Sequence, residues 1–329
     1  MPFMPPEWQA QRWLWVGFPH LADEWPGFLG RAQEQIAAFA SAVADSGQEV
    51  RLIVRDEATR ARAEALCSAA VTLEMRRYGD IWLRDTGPLV LERGGAQIGQ
   101  RFGFNGWGGK YLMDGDQEIG AELAASVGLP VETADWVLEG GALDCDGTGL
   151  VATTEQCLLN PNRNPQLSRG NIEARLERDL GFTRVLWLGD GLINDHTDGH
   201  VDNLARFVSP GVLALPRATG ADDPNAAIYA DAKARAEAFG LQVREVPSPG
   251  RVESASEIGG RIEPASYMNF AITTKLVLVP VYGTRHDDDG VAAIAELFPD
   301  RDVVGIRADA VLAGGGSFHC ASQQMPGRI

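Results

Sequence analysis

An α/β fold made of about five like units is predicted for this chain, and three features of the sequence carry that prediction. Helical apolar spacings alternate with short apolar strand patterns throughout. Pairs of strand patterns, several separated by Gly-rich or Ser-Pro-Gly turns, read as hairpins. The set of hairpin, helix and strand then repeats, which suggests units packed round an axis, as in a propeller or a solenoid. No linker, low-complexity tract or charge block interrupts the repetition, so residues 1–329 read as a single domain.

The first unit opens with a strand over residues 13–19, closed by Gly17 and Pro19. A helix over 28–43 follows, because Phe28, Ile36, Phe39, Ala40 and Val43 lie on one rough helical stripe, and Ser46-Gly47 ends it. A strand over 49–54, a short helix over 57–67 and a strand over 71–75 come next. Four units of hairpin, helix and strand are then predicted. The first pairs 89–93 with 97–102, followed by 118–127 and 131–133. The second pairs 142–145 with 150–153, followed by 172–180 and 185–188. The third pairs 204–208 with 212–215, followed by 226–239 and 241–243. The fourth pairs 269–273 with 276–281, followed by 291–298 and 303–306. Most of these helices stop at a glycine, the residue that best takes the left-handed turn of a helix C-terminus.

Composition narrows the function. A hydrophobic fraction of 45% with 22% charged residues is that of a globular protein with a sizeable core. The longest apolar runs, such as 276–281, are strand-length and far short of the roughly 20 residues a membrane helix needs. The stretch 1–25 lacks a basic segment followed by an apolar one, so no signal peptide is expected and the cytoplasm is the expected compartment. A net charge of −16 and a pI near 4.7 argue against a nucleic-acid partner and favour a small cationic one. Cys67, Cys145, Cys157 and Cys320 have no Cys-x-x-Cys spacing, so free thiols fit better than a disulfide framework or a zinc cage.

Polar clusters recur near the hairpins. They are Trp82-Leu83-Arg84-Asp85-Thr86-Gly87-Pro88, Leu138-Glu139-Gly140-Gly141, His196-Thr197-Asp198-Gly199-His200-Val201-Asp202-Asn203, and Gly314-Gly315-Gly316-Ser317-Phe318-His319-Cys320. They fall about 60 residues apart, with the last step about twice that. Equivalent positions of units packed round an axis converge, so Asp85, Glu139, His200 with Asp202, and Cys320 are expected to face one another. Such a set has a definite chemistry. A thiol needs a base or a cation to form its thiolate. His200 can give and take protons near neutrality. Asp85 and Asp202 can hold a planar cation through paired hydrogen bonds, and Glu139 can orient the imidazole. Plainer readings stay open for each residue: a turn aspartate at 85, a solvated loop glutamate at 139, and a buried cysteine after a Gly-rich turn at 320. His196 and His200 also have the spacing of two metal ligands on one helical face, although Gly199 interrupts such a helix and no third ligand is evident.

These motifs, with Phe104-Asn105-Gly106-Trp107-Gly108-Gly109-Lys110-Tyr111 and Gln323-Gln324, resemble the agmatine deiminases. With the bacterial-type peptidylarginine deiminases, that family belongs to the guanidine-modifying pentein superfamily, and the resemblance runs from about residue 5 to 326. It implies a five-bladed α/β propeller with pseudo-fivefold symmetry. It also implies a mechanism: Cys320 attacks the guanidinium carbon, and His200 protonates the departing ammonia and then activates water. Asp85 and Asp202 hold the guanidinium and Glu139 supports His200, while Trp82, Trp107, Asp198 and Gly316 complete the substrate-binding set. Neither metal nor organic cofactor is implied. Agmatine would give N-carbamoylputrescine and ammonia. Free arginine, peptidyl arginine or another guanidino compound is the alternative; a carboxylate on the substrate needs a cation, for which Arg101, Arg163 and Arg217 are candidates. A non-catalytic binding protein and a metal-dependent hydrolase are the readings from other classes. His196 departs from the family pattern, which more often has an acidic residue there. A homodimer is the default oligomer.

Overall fold

A computed structural model of the chain describes residues 1–254 and 260–328. Five separate sheets account for its named strands. Strands β1 (Gln11–Gly17), β2 (Glu49–Val54) and β3 (Thr72–Met75) run parallel to one another. The next four sheets share one plan: an antiparallel hairpin followed by a parallel third strand. They are β4 (Leu89–Arg93), β5 (Ala96–Gly103) and β6 (Val131–Val137); β7 (Asp144–Cys145), β8 (Leu150–Thr154) and β9 (Arg184–Leu188); β10 (Arg206–Ser209), β11 (Val212–Arg217) and β12 (Gln242–Pro247); and β13 (Ala271–Ile272), β14 (Leu276–Val281) and β15 (Asp302–Arg307). A sixteenth strand, β16 (Ser322–Pro326), lies antiparallel against β1, so the first sheet has the same plan with one further parallel strand, β3, and its antiparallel arm is drawn from the other end of the sequence.

A parallel neighbour requires a crossover, and helices supply it. Leu29–Asp45 carries the chain from β1 to β2, and its buried face is Ala32, Ile36, Phe39, Ala40 and Val43, the stripe that the spacing predicts. Removing Ile36, Phe39 and Val43 from water contributes about 2 kcal/mol each. Arg169–Leu180 starts at Ser168, whose hydroxyl accepts from the Asn171 N–H, and stops at Gly181, which has φ +83° and donates back to the Glu177 carbonyl. The corresponding crossovers are Ile119–Ser126, Ala226–Ala238 and Asp287–Ala295.

Several boundaries differ from the expectation. The last crossover starts at Asp287 rather than at 291, because Asp287, Asp288 and Asp289 place negative charge on the first turn, where the helix dipole favours it. The hairpin arms predicted over 142–145, 204–208 and 269–273 begin late. Each is preceded by a single 3₁₀ turn, Gly140–Ala142, Val201–Asn203 or Tyr267–Asn269, and Leu83–Thr86 is the matching helical turn before β4. These turns are where the polar clusters sit. Among the described residues no helix is long and apolar enough to cross a membrane.

Candidate active site

The turns before the hairpins and the segment before β16 meet in one place. Asp85 comes from the first turn, Glu139 from the residue capping the second, and His200 and Asp202 from the third. The fourth turn supplies Asn269, which sequence reasoning missed. It falls in the double-length step between His200 and Cys320, and that gap was the only signal for it. Its amide grips the thiol: Nδ2 lies 3.0 Å from Cys320 Sγ, and Oδ1 accepts from the backbone N–H groups of His319 and Cys320.

Gly141 marks the point of convergence. A Cβ there would lie 2.6 Å from His200 Nδ1, 2.8 Å from Asp85 Oδ1 and 3.1 Å from Asp202 Oδ2, so the missing side chain leaves open the space between three polar groups. Asp85 and Cys320 line a cavity of about 260 Å³, together with Trp82, Trp107 and Gly316. Gly316 allows the segment to cross the face of Trp82, for a Cβ would sit 2.8 Å from the indole ring and 3.0 Å from Cys320 Cβ.

Each carboxylate has its own surroundings. Asp85 Oδ2 accepts from the Trp107 indole N–H and Oδ1 from the Gly141 N–H, both at 2.9 Å. Trp107 reaches this position at φ +52°, a conformation that costs a bulky residue about 1–2 kcal/mol. Glu139 is fully buried and its Oε1 takes the Arg163 Nε–H at 2.6 Å. Asp202 Oδ2 takes His319 Nδ1 at 2.7 Å and lies 3.5 Å from Cys320 Sγ. Four buried polar atoms here have no hydrogen-bond partner among the described residues: Glu139 Oε2, Asp202 Oδ1 and both ring nitrogens of His200. Leaving such atoms unpaired costs about 1–3 kcal/mol apiece, so together they describe the hydrogen-bonding shape of a ligand.

Burial dominates the protonation states. It pushes the Asp85 carboxyl well above the usual range, with the charges of Asp202 and Glu139 adding. Burial also raises Glu139, and Arg163 opposes it. Asp202 is raised by burial too, but the hydrogen bond and charge of His319 outweigh that and hold it low. His200 is lowered to about 3 by burial, against the pull of Asp202, so its ring is neutral. Cys320 is driven well above an ordinary thiol by burial and then by Asp202 and Asp85, with the Asn269 amide opposing. The site without ligand is therefore a protonated thiol beside a neutral imidazole.

Asp198 does not line the cavity, and neither do Glu139, His200 and Asp202. The Asp198 carboxylate is taken by Lys110 Nζ at 2.6 Å, Asn162 Nδ2 at 2.8 Å and Arg163 Nη1 at 2.7 Å, and at φ +65° Asp198 fastens the loop that ends in His200. His196 and His200 do not share a helical face, because Asp198 and Gly199 both have positive φ. Among the described residues the donor atoms near enough to share a metal ion are those of Glu139, Cys157 and His200, within 4.8 Å of one another, and His196 is not among them. Arg163 occupies one oxygen of that glutamate, Oε1, and the other, Oε2, has no hydrogen-bond partner among the described residues. His196 instead lines the cavity, with Nε2 2.7 Å from Arg261 Nη2. The proposed carboxylate partners fail on geometry. Arg163 is committed to Glu139 and Asp198, Arg101 donates to the Gln117 carbonyl, and neither Arg101 nor Arg217 lines the cavity. Arg261 does, as do Asp23, Glu24 and Glu263.

The chain as a whole is similar to known proteins. Residues 3–326 match the family described as Porphyromonas-type peptidyl-arginine deiminase. An agmatine deiminase of Stutzerimonas stutzeri is 37% identical, covering 98% of this chain and 95% of its own length. The solved agmatine deiminase of Enterococcus faecalis superposes with a TM-score of 0.93 at 32% identity, covering 100% of this chain and 96% of that one. A cysteine-to-serine variant of the C. jejuni agmatine deiminase with substrate bound superposes with a TM-score of 0.91 at 26% identity, covering 100% and 97%.

Proposed function

Because the chain belongs to the Porphyromonas-type peptidyl-arginine deiminase family, we propose that it hydrolyses a guanidine, agmatine, to N-carbamoylputrescine and ammonia through a covalent bond to Cys320. The observation that carries this reading is the set of unpartnered buried acceptors, Glu139 Oε2 and Asp202 Oδ1, beside a thiol and a neutral imidazole. A guanidinium is planar, cationic and all donors, the complement of such a set.

The five sheets are read as blades round an axis, and residues 1–329 as one catalytic domain. In this reading the guanidinium lies over Gly141, with its N–H groups on Asp85, Glu139 and Asp202. Its charge offsets the carboxylates that hold the thiol protonated. His200 takes the thiol proton, and Sγ bonds to the guanidinium carbon. The protonated ring passes the proton to one amino group, which leaves as ammonia and breaks its C–N bond. A thiouronium on Cys320 remains. His200 next takes a proton from water, the hydroxide adds to the same carbon, and the C–S bond breaks; the adduct's hydroxyl proton returns to the sulfur, leaving the ureido product, and His200 gives its proton to the released ammonia or to solvent. Splitting one hydrolysis into two displacements is the gain of covalent catalysis. Side chains of this chain and water carry every step.

Five carboxyl groups in the cavity wall, those of Asp23, Glu24, Asp80, Asp85 and Glu263, outnumber Arg261, the one arginine among its described lining residues, and favour a substrate whose far end is an ammonium. Arg261 is what favours a second reading, in which arginine or a guanidino acid is taken. Purified protein with a chelator is incubated with agmatine, arginine and an arginine-containing peptide, and ammonia and ureido product are followed. Turnover of agmatine in preference to the others supports the proposal. Turnover of arginine or peptide alone keeps the chemistry and replaces the substrate. No turnover of any of the three sinks the proposal. A cytoplasmic location and a homodimer belong to the same reading.

A further inference from the structure

We propose that His319 is a positioning residue: a buried imidazolium clamped between Glu7 and Asp202, which fixes the carboxylate that holds the substrate and offsets its charge beside the nucleophile. The proposal rests on the function assigned above only for the part that concerns turnover.

The geometry is specific. Nδ1 of His319 lies 2.7 Å from Asp202 Oδ2, and Nε2 lies 3.0 Å from Glu7 Oε2; His319 and Asp202 are buried, and the Glu7 side chain is 9% exposed. A neutral imidazole has one N–H and one bare nitrogen, so one of these contacts would set a lone pair against a carboxylate oxygen. Only the doubly protonated ring satisfies both. Glu7 is in turn tied to Arg206, which also donates to Asp144 Oδ2 at 2.6 Å, and Glu7 Oε1 accepts from the Ile272 N–H at 2.8 Å. Asp144, Arg206, Glu7, His319 and Asp202 thus alternate in sign through the interior. The charged and titratable groups facing His319 are Glu7, Asp202, Arg206, Arg84 and Cys320. Arg84 donates from Nε to the His319 carbonyl at 3.3 Å.

Two consequences follow for the reaction. Holding Asp202 by Oδ2 leaves Oδ1 as the atom free for a guanidinium. A positive charge on that same oxygen also weakens the anion that lies 3.5 Å from Sγ, making the thiolate easier to form.

Nitrogen NMR of histidine-labelled, ligand-free protein tests the clamp without any substrate, with the His319 signals identified by their absence in His319→Gln. Both ring nitrogens are expected to carry protons at neutral pH; one bare nitrogen overturns the proposal whatever the substrate proves to be. Glu7→Gln keeps an acceptor but removes the charge that favours the imidazolium. Its kcat/KM for agmatine is expected to fall roughly tenfold to a hundredfold, the scale of one charged hydrogen bond, with the loss growing toward alkaline pH as that limb of the profile moves down. An unchanged profile, or a fall equal at every pH, contradicts the positioning role. Should Glu7→Gln not fold, alkylation of Cys320 in His319→Gln decides: half-maximal reaction at higher pH supports the role, and an unshifted curve overturns it.

Discussion

Asn269 holds Cys320 at three points: its Nδ2 lies 3.0 Å from Sγ, while its Oδ1 accepts from the N–H of Cys320 and from that of His319. The amide, with the Ser317 backbone, favours a thiolate in a setting where burial and two carboxylates oppose one. Asn269→Ala is expected to lower kcat by roughly tenfold to a hundredfold and to move the iodoacetamide reaction of Cys320 to higher pH. Unaltered alkylation with reduced kcat would leave the amide with a structural role only.

Gly141 is the second test. Alanine there sets a methyl 2.6–3.1 Å from His200, Asp85 and Asp202, in the space proposed for the guanidinium. Gly141→Ala should fold, because its backbone has no positive φ, yet lose most turnover through a raised KM. A variant with wild-type KM would show that the substrate does not lie over this residue.

The pair of Arg163 and Glu139 concerns stability. Both side chains have 0% exposure and are 2.6 Å apart. Removing one member of a buried pair strands the other, at a cost of about 3–5 kcal/mol. Arg163→Met should therefore lower the urea midpoint far more than Arg101→Met, whose guanidinium donates to a surface carbonyl. Equal midpoints would contradict the assignment.

His200 gives a pH signature. Unfolded, the ring takes a proton near 6.5; folded, burial delays that to about 3. Between those values the unfolded state binds the extra proton, so this group's share of stability is present above pH 6.5 and is lost as pH falls through the window. Asp85, raised by burial, acts with the opposite sign, so the quantity to measure is the difference between wild type and His200→Asn. Stability of the variant should fall less steeply below pH 6.5 than that of the wild type. Parallel curves would mean that His200 takes a proton in the folded state as readily as in the unfolded one.

Much of the architecture was legible because its signals are local. The helix stripe of Ile36, Phe39 and Val43, and the glycines at 47, 128, 181 and 240, all with positive φ, act within a turn of the residues they organise. Strand β16 was missed because Ser322-Gln323-Gln324-Met325-Pro326 has no apolar alternation; all five residues are buried only because β1, more than 300 residues earlier, lies beside it. Asp85, Glu139, His200, Asp202 and Cys320, which the fold brings together, were singled out by their recurrence. The partners that set their chemistry were not. Glu7 and Arg163 reach the site through tertiary packing, and Asn269 sits in Tyr-Met-Asn, a segment with no catalytic signature. His319 stood inside the quoted motif, but its two carboxylate neighbours lie far away in sequence.

Ammonia release from agmatine by Cys320→Ala, measured with a chelator present and beside wild type, tests the covalent mechanism most directly, with circular dichroism to show that the variant is folded. Release at the background rate is predicted, because no other described thiol lines the cavity. Release by the folded variant at a rate near that of wild type would contradict nucleophilic attack by Cys320.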